Sequence, residues 1–269
     1  MSQRWRLTVA RGPDGRDVPH RDVTAAWTAI LSALADLAAQ GVPRSRDPAD
    51  NPPPDERDSG RARVMFAAPV PLGMTSQGEL VDLVLPTGRL TRDRLWACAV
   101  PLLPTGHRLV EAHDVWIGEP SLPSLEAAAD YLDTVPSAER GASADAAAAV
   151  SRAAGALLSQ AVIARPGRDS ARASANLRPL IVDLRLADAA DETMRIWIRL
   201  RVDQELGSGR PEEVVEALGR IGPSLTVVAV ERVGFVLKSP PPRVNRAAAR
   251  PTRQPPRRSD RPGGRERQQ

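Results

Sequence analysis

The clearest signal along the chain is alternation of apolar and polar side chains between Asn176 and Val202, NLRPLIVDLRLADAADETMRIWIRLRV. Leu180, Val182, Leu184 and Leu186 alternate with Ile181, Asp183 and Arg185. Met194, Ile196, Ile198, Leu200 and Val202 alternate with Arg195, Trp197, Arg199 and Arg201. Successive strand side chains point to opposite faces, so each run predicts a strand with one apolar and one polar face. Residues 187–192 are polar enough for an exposed turn, which makes the pair an antiparallel hairpin.

The same reading extends to both sides. Trp5, Leu7 and Val9 alternate with Arg4, Arg6 and Thr8, a first strand closed by turn chemistry at residues 11–15. From 22 to 40 the period becomes helical, with Val23, Ala26, Trp27, Ile30, Leu31, Leu34, Leu37 and Ala38 on one face and Gly41 and Pro43 as the stop. Residues 44–60 are charged and proline-rich with no apolar period, a disordered loop. Strands at 63–73 and 79–86, a helix at 90–103 capped by Thr91 and a strand at 107–117 follow. The order then recurs. A weak strand at 129–135, poor in strand formers, precedes an Ala-rich helix at 143–163, a basic loop at 165–175 and the hairpin. A helix at 211–218 with proline in its first turn and a last strand at 225–237, bent at Gly234, complete it.

Strand, helix, strand, strand, helix, strand, twice over, predicts an α+β protein of two tandem ferredoxin-like βαββαβ modules with antiparallel sheets. The modules are residues 1–118 and 119–238. Residues 239–269 form a disordered Arg/Pro-rich tail.

Charge sharpens this division. The formal net charge is +4, yet nine arginines against Asp260 and Glu266 give residues 239–269 a balance of +7, leaving −3 for residues 1–238. The high pI therefore belongs to the tail. Hydrophobic residues make up 42% and aromatics 3%, so the core is aliphatic and Ala-rich. Cys98 is the single cysteine, which excludes an internal disulfide and a multi-cysteine metal site. No uninterrupted apolar run approaches the ~18 residues of a membrane span and the N-terminus lacks a signal-peptide core, so a cytoplasmic protein without a membrane partner is expected.

The segments PVPLG (69–73), ELVDLVL (79–85) and LRPLIVDLRL (177–186), in that order, resemble the radical-SAM-associated, or radical-SAM-linked, bacterial protein family. The likeness runs over most of residues 4–237. Its members are encoded beside, or fused to, a radical S-adenosylmethionine protein. The resemblance implies a radical-SAM protein as partner and carries over no catalytic residue. By this resemblance the chain would be a divergent member. Where the family has Ser-His-x-Asp it has Pro19, His20, Arg21 and Asp22; residues 44–60 replace an aromatic, Gly- and Pro-containing segment; and Asn176 stands for an aspartate.

Few side chains offer chemistry. His20 with Asp22 reads either as an acid–base or ligand-anchoring pair or as a helix start with a solvated histidine. His107, Glu111 and His113 share parity on one strand, but their bite is poor and no cysteine supplements them, so no metal is expected. Cys98 in an Ala-rich helix reads as a buried small hydrophobe. The polar face of the hairpin is the strongest candidate. Arg185, Arg195, Trp197, Arg199 and Arg201, with Arg178 near the hairpin's start, combine phosphate-binding forks with a stacking plane, and Asp183 breaks up their repulsion. Arg4, Arg6, Arg61 and Arg63 suggest a similar outward stripe on the first module. There is no CxxxCxxC, no GxGxxG between strand and helix and no phosphate-binding loop, so no cofactor is expected. The expectation is a non-catalytic accessory protein to a radical-SAM enzyme that could present tRNA or rRNA. The alternatives are a stand-alone RNA-binding protein and an enzyme using His20 and Asp22.

Overall fold

The computed structural model describes residues 2–40, 61–86, 88–136, 143–165, 176–190, 192–203 and 205–239. The expected loop 44–60, most of the basic loop 165–175 and all but the first residue of the tail lie outside the described residues.

The first half runs β1 (Gln3–Arg11), α1 (His20–Gln40), β2 (Arg63–Phe66), β3 (Thr75–Leu85), α2 (Arg92–Ala99) and β4 (His107–Val115). β1 pairs antiparallel with β4 on one side and β3 on the other, and β3 takes β2 antiparallel. A short helix α3 (Leu122–Leu125), not anticipated from the sequence, leads into the second half. That half runs β5 (Glu126–Pro136), α4 (Ser143–Ser159), β6 (Ile181–Ala189), β7 (Thr193–Asp203), a two-residue β8 (Gly207–Ser208), α5 (Pro211–Ile221) and β9 (Ala229–Leu237). Its main strands are ordered β9-β5-β7-β6, again antiparallel throughout. In both halves the fourth strand lies beside the first and the third lies on the first's other side. This is the ferredoxin-like arrangement.

The two sheets are not separate. β3 is long enough to be shared: Val81–Val84 pair with β2, while Thr75 and Ser76 pair in parallel with Glu231 and Arg232 of β9. One nine-stranded sheet results, and residues 1–239 form one compact unit. β2 is far shorter than the expected strand 63–73, because Pro69 and Pro71 have no N–H to give a ladder.

The helices supply one cover layer. In α1, Val23, Trp27, Ile30, Leu31, Leu34 and Ala38 pack against Trp5, Leu7, Val9, Val81, Leu83 and Leu85. By length and composition α1 could cross a membrane, but in this fold its apolar stripe faces the sheet. In the second half Val150, Leu157, Val214 and Leu218 of α4 and α5 close over Leu184, Ile196 and Ile198. Thr91 caps α2 by accepting a hydrogen bond from the Arg94 amide. Gly106, at φ 71°, allows a close approach in which its carbonyl accepts from the Gly12 amide at 2.8 Å; a Cβ there would lie 2.1 Å from the Gly15 nitrogen.

One expected register changes. A bulge between Ile181 and Asp183 puts Ile181 into the core and leaves Val182 exposed, the reverse of strict alternation. Leu180 is still buried, but it belongs to the short 3-10 turn Arg178–Leu180 before the strand.

Candidate functional site

The face of β6, β7 and β5 turned away from the helices carries the hairpin arginines, and among the described residues no helix covers it. Register arranges it in rows. Asp183, Arg199 and Asp130 lie opposite one another across β6, β7 and β5; Arg185, Trp197 and Leu132 form the next row. Each row fixes a contact. Arg199 makes a bidentate pair with Asp130 at 2.6 and 2.8 Å, which holds the guanidinium pKa above its ordinary value. Arg195 donates to Asp188 at 2.9 Å and draws that carboxyl below the usual range. The Arg185 guanidinium lies 5.4 Å from the centroid of the half-buried Trp197 ring and 3.5 Å from Asp183. Arg201 is exposed, with Asp203 in its electrostatic range. The hairpin face is therefore a charge-balanced lattice: Arg185, Arg195, Arg199 and Arg201 stand against Asp130, Asp183, Asp188 and Glu231.

Arg178 is not on that lattice. It donates to the carbonyls of Leu158 and Ile181, both at 2.9 Å, and so fastens the end of α4 to the start of β6. Asn176 supports the same corner by accepting from the amides of Ile163 and Arg178.

On the first module the expected arginine stripe splits. Arg61 and Arg63 are exposed, whereas Arg4 is buried and Arg6 nearly so. Both donate to the fully buried Asp82, Arg4 through Nε and Nη2 and Arg6 through Nε and Nη2. Arg4 also donates to the carbonyls of Glu119 and Pro120, and Arg6 to the Glu119 carboxylate at 2.8 Å. The inter-module connection thus crosses this face and seals it.

The other candidates are dispersed. His20 and Asp22 are both exposed at the start of α1; His20 meets the Phe66 ring edge-on at 5.6 Å, while Asp22 lies 3.4 Å from Arg21. His113 pairs with Glu111 at 2.9 Å at the surface, and His107 turns to the Thr105 carbonyl. No group of three metal-ligating side chains occurs among the described residues. Cys98 is half-buried against the core, and burial pushes its thiol up.

The sequence reading missed the module junction. The loop containing PVPLG lies there, held from both sides. The buried Arg11 donates to the Val70 carbonyl at 3.2 Å, the buried Arg232 to the Ala68 carbonyl at 2.7 Å, and Glu126 accepts from the Ala68 amide. Arg11, Ser76, Arg232 and Tyr131 pair in sequence across β1, β3, β9 and β5, one polar row on the helix side of the sheet. Pro71, Leu72 and Met74 then face Arg210, which precedes α5, and Glu212, Glu213 and Glu216 of α5 across a groove of about 610 Å³. On β5, Asp133 is 0% exposed, both its carboxylate oxygens lack a hydrogen-bond partner, and burial together with Glu212 raises its pKa to about 8. Arg232 and Asp133 carry no local motif; only their cross-strand neighbours reveal them.

Two ferredoxin-like modules joined strand to strand, with one open sheet face and a junction groove, define a bi-modular α+β protein. Residues 59–214, more than half of the chain, match the family described as "Uncharacterized protein conserved in bacteria (DUF2344)", and the chain belongs to that family. The match runs from just before β2 into the first turn of α5. No curated protein matches the chain. Solved structures align only loosely. A provisionally assigned glycine cleavage system transcriptional repressor gives a TM-score of 0.23 at 11% identity, covering 88% of this chain and 99% of the other. Csf5, a CRISPR-Cas type IV Cas6 crRNA endonuclease, gives 0.22 at 11% identity over 77% and 98%. A Rhodococcus jostii DypB variant in complex with heme gives 0.22 at 11% identity over 88% and 93%.

Proposed function

We propose that this chain is a cytoplasmic, non-catalytic accessory protein of a radical S-adenosylmethionine enzyme, and that it docks through the open face of β6, β7 and β5. The link to that enzyme class rests on the resemblance of PVPLG, ELVDLVL and LRPLIVDLRL. The choice of surface rests on one observation: a lattice of ion pairs set on rigid strands, exposed on one side and balanced in charge. Such a surface selects a partner by matching charges more than by raw affinity. Its arginines are engaged by carboxylates, so RNA phosphates would have to displace Asp130, Asp183 and Asp188 to bind there. Presentation of tRNA or rRNA is the second reading, favoured by exposed Arg201 and the Arg185–Trp197 stack, both available to an unpaired base.

The test is purification from native extract. The wild-type chain is expected to bring a radical-SAM protein with it, and the triple variant Arg195→Ala/Trp197→Ala/Arg199→Ala to lose it while melting as a folded protein. Recovery of no such protein with wild type would overturn the accessory reading. Retention of RNA by the body without residues 240–269, lost in the triple variant, would promote the second.

A further inference from the structure

β6 is the outermost strand at the second module's end of the sheet, and among the described residues no strand pairs with its free edge. Its pairing with β7 is interrupted at Val182 and again at Ala187, which leaves Asp183, Leu184, Arg185 and Leu186 as one regular run between two bulges. The outward N–H and C=O groups of an edge run accept another strand unless charge or irregularity forbids it. Here the charges favour one partner in one register. When a second copy of β6 runs antiparallel to the first about a two-fold axis through Leu184, Asp183 of each chain faces Arg185 of the other. Val182, 48% exposed, then faces Leu186 of the second copy. Centring the axis on Asp183 or on Arg185 sets like charges directly opposite, which destabilises. Within the chain Asp183 and Arg185 are 3.5 Å apart, with side chains 45% and 61% exposed, so both are open to a second partner.

The helix above this edge agrees. α4 packs on β6 and beside α5. A Cβ at Gly222, just after α5, would lie 2.6 Å from the Ala153 Cβ, so Ala153 faces α5. Ser151 and Gly155, two positions either side of Ala153, are about half a turn round the helix from it, and both are exposed. With exposed Ala144 and Ala148 they make the flank turned away from α5 smooth, and a Cβ at Gly155 would meet nothing within 4 Å.

We propose that this chain forms a symmetric dimer through the free edge of β6, with Leu184 on the axis and the sheet continuous across two copies. A two-fold contact uses each edge once and closes, so growth stops at two. The small-residue flanks of the two α4 helices leave room for them above the joined strands. The inference stands apart from the accessory reading, because its test reads mass and not a radical-SAM partner.

The test is sedimentation equilibrium of the full chain over a range of concentrations. Wild type is expected to rise toward twice the chain mass. Arg185→Asp and Asp183→Arg each set like charges opposite one another at both symmetry-related contacts, and should weaken self-association by about tenfold or more. An equimolar mixture of the two variants should pair as wild type does, because one edge then carries two cations and the other two anions. The double reversal Asp183→Arg/Arg185→Asp restores opposite charges within one chain and should also associate like wild type, which guards against a single variant that folds poorly. A monomeric wild type, undiminished association of Arg185→Asp, or recovery in neither the mixture nor the double reversal would each overturn the assignment.

Discussion

Asp133 and Asp82 are two buried aspartates with opposite solutions. Asp82 accepts from two arginines and is satisfied; Asp133 accepts from none and holds its proton instead. The consequence for pH follows from linkage. The folded pKa of Asp133, about 8, lies above the ordinary 3.8 of the unfolded chain. Between those values the native state binds the proton and the unfolded state does not, so this group makes stability fall as pH rises from about 4 to 8, levelling beyond. Asp133→Asn is expected to flatten that decline, by on the order of 1 kcal/mol per pH unit, in urea midpoints taken from pH 5 to 8. A variant whose midpoints fall with pH as steeply as wild type would refute it. Asp82→Asn should act the other way and at any pH in that range. It removes the carboxylate paired with buried Arg4, leaving that guanidinium the Glu119 and Pro120 carbonyls while Arg6 keeps Glu119; breaking a buried pair costs roughly 3–5 kcal/mol, and thermal or urea unfolding would show it.

At the scale of single elements, most of the fold is legible in the pattern of side chains, and the failures have local causes. The α1 period, the Thr91 cap, the proline opening α5 and the hairpin all follow from short-range chemistry, and each is where the sequence puts it. β5 looked weak because alanine and aspartate form strands poorly. It is nevertheless eleven residues long, since tertiary partners compensate: Arg199 engages Asp130, and Ala128 and Ala129 are buried small residues between β7 and β9. Val182 departs from the alternation because the bulge between Ile181 and Asp183 leaves no mark in the pattern of side chains. Within the hairpin, Asp183 lies directly opposite Arg199 and near Arg185, the charge spacer its position suggested. Asp183→Asn is expected to lower stability by ~0.2–1 kcal/mol, the worth of one opposite-charge pair across strands. Should RNA prove the ligand, the same change should tighten binding; normal melting with lost binding would instead make Asp183 a contact residue.

At the scale of the whole molecule the two modules become one body through very little backbone. Among the described residues, the backbone pairing is that of Thr75 and Ser76 with Glu231 and Arg232; side chains add Arg11, Arg232 and Glu126 on the loop after β2, Gln77 donating to Glu231, Arg232 near Glu79, and Val70 and Met74 packed on Val230. None of this is visible in either module's own pattern, which is why the candidate groove was not read from the chain. Gly78 tests how much the backbone stitch matters. A Cβ at this position would lie 3.1 Å from the Val233 carbonyl oxygen and 3.5 Å from the Gly234 Cα, so a branched side chain must push β9 off β3. Gly78→Val is therefore expected to cost about 1–3 kcal/mol, the usual range for overpacking, and to split the unfolding transition. The chain's own tryptophans make this readable. Trp5, Trp27 and Trp96 pack in the first module and Trp197 lies on the second, so fluorescence weights the first module while far-UV circular dichroism reports both. In wild type the two urea curves should coincide, as they do for a single cooperative unit. In Gly78→Val they should separate, because each ferredoxin-like sheet keeps its own core of strands and two helices. Coincident curves at the wild-type midpoint would mean that the arginine clamps on the PVPLG loop, and not the β3–β9 pairing, hold the modules together.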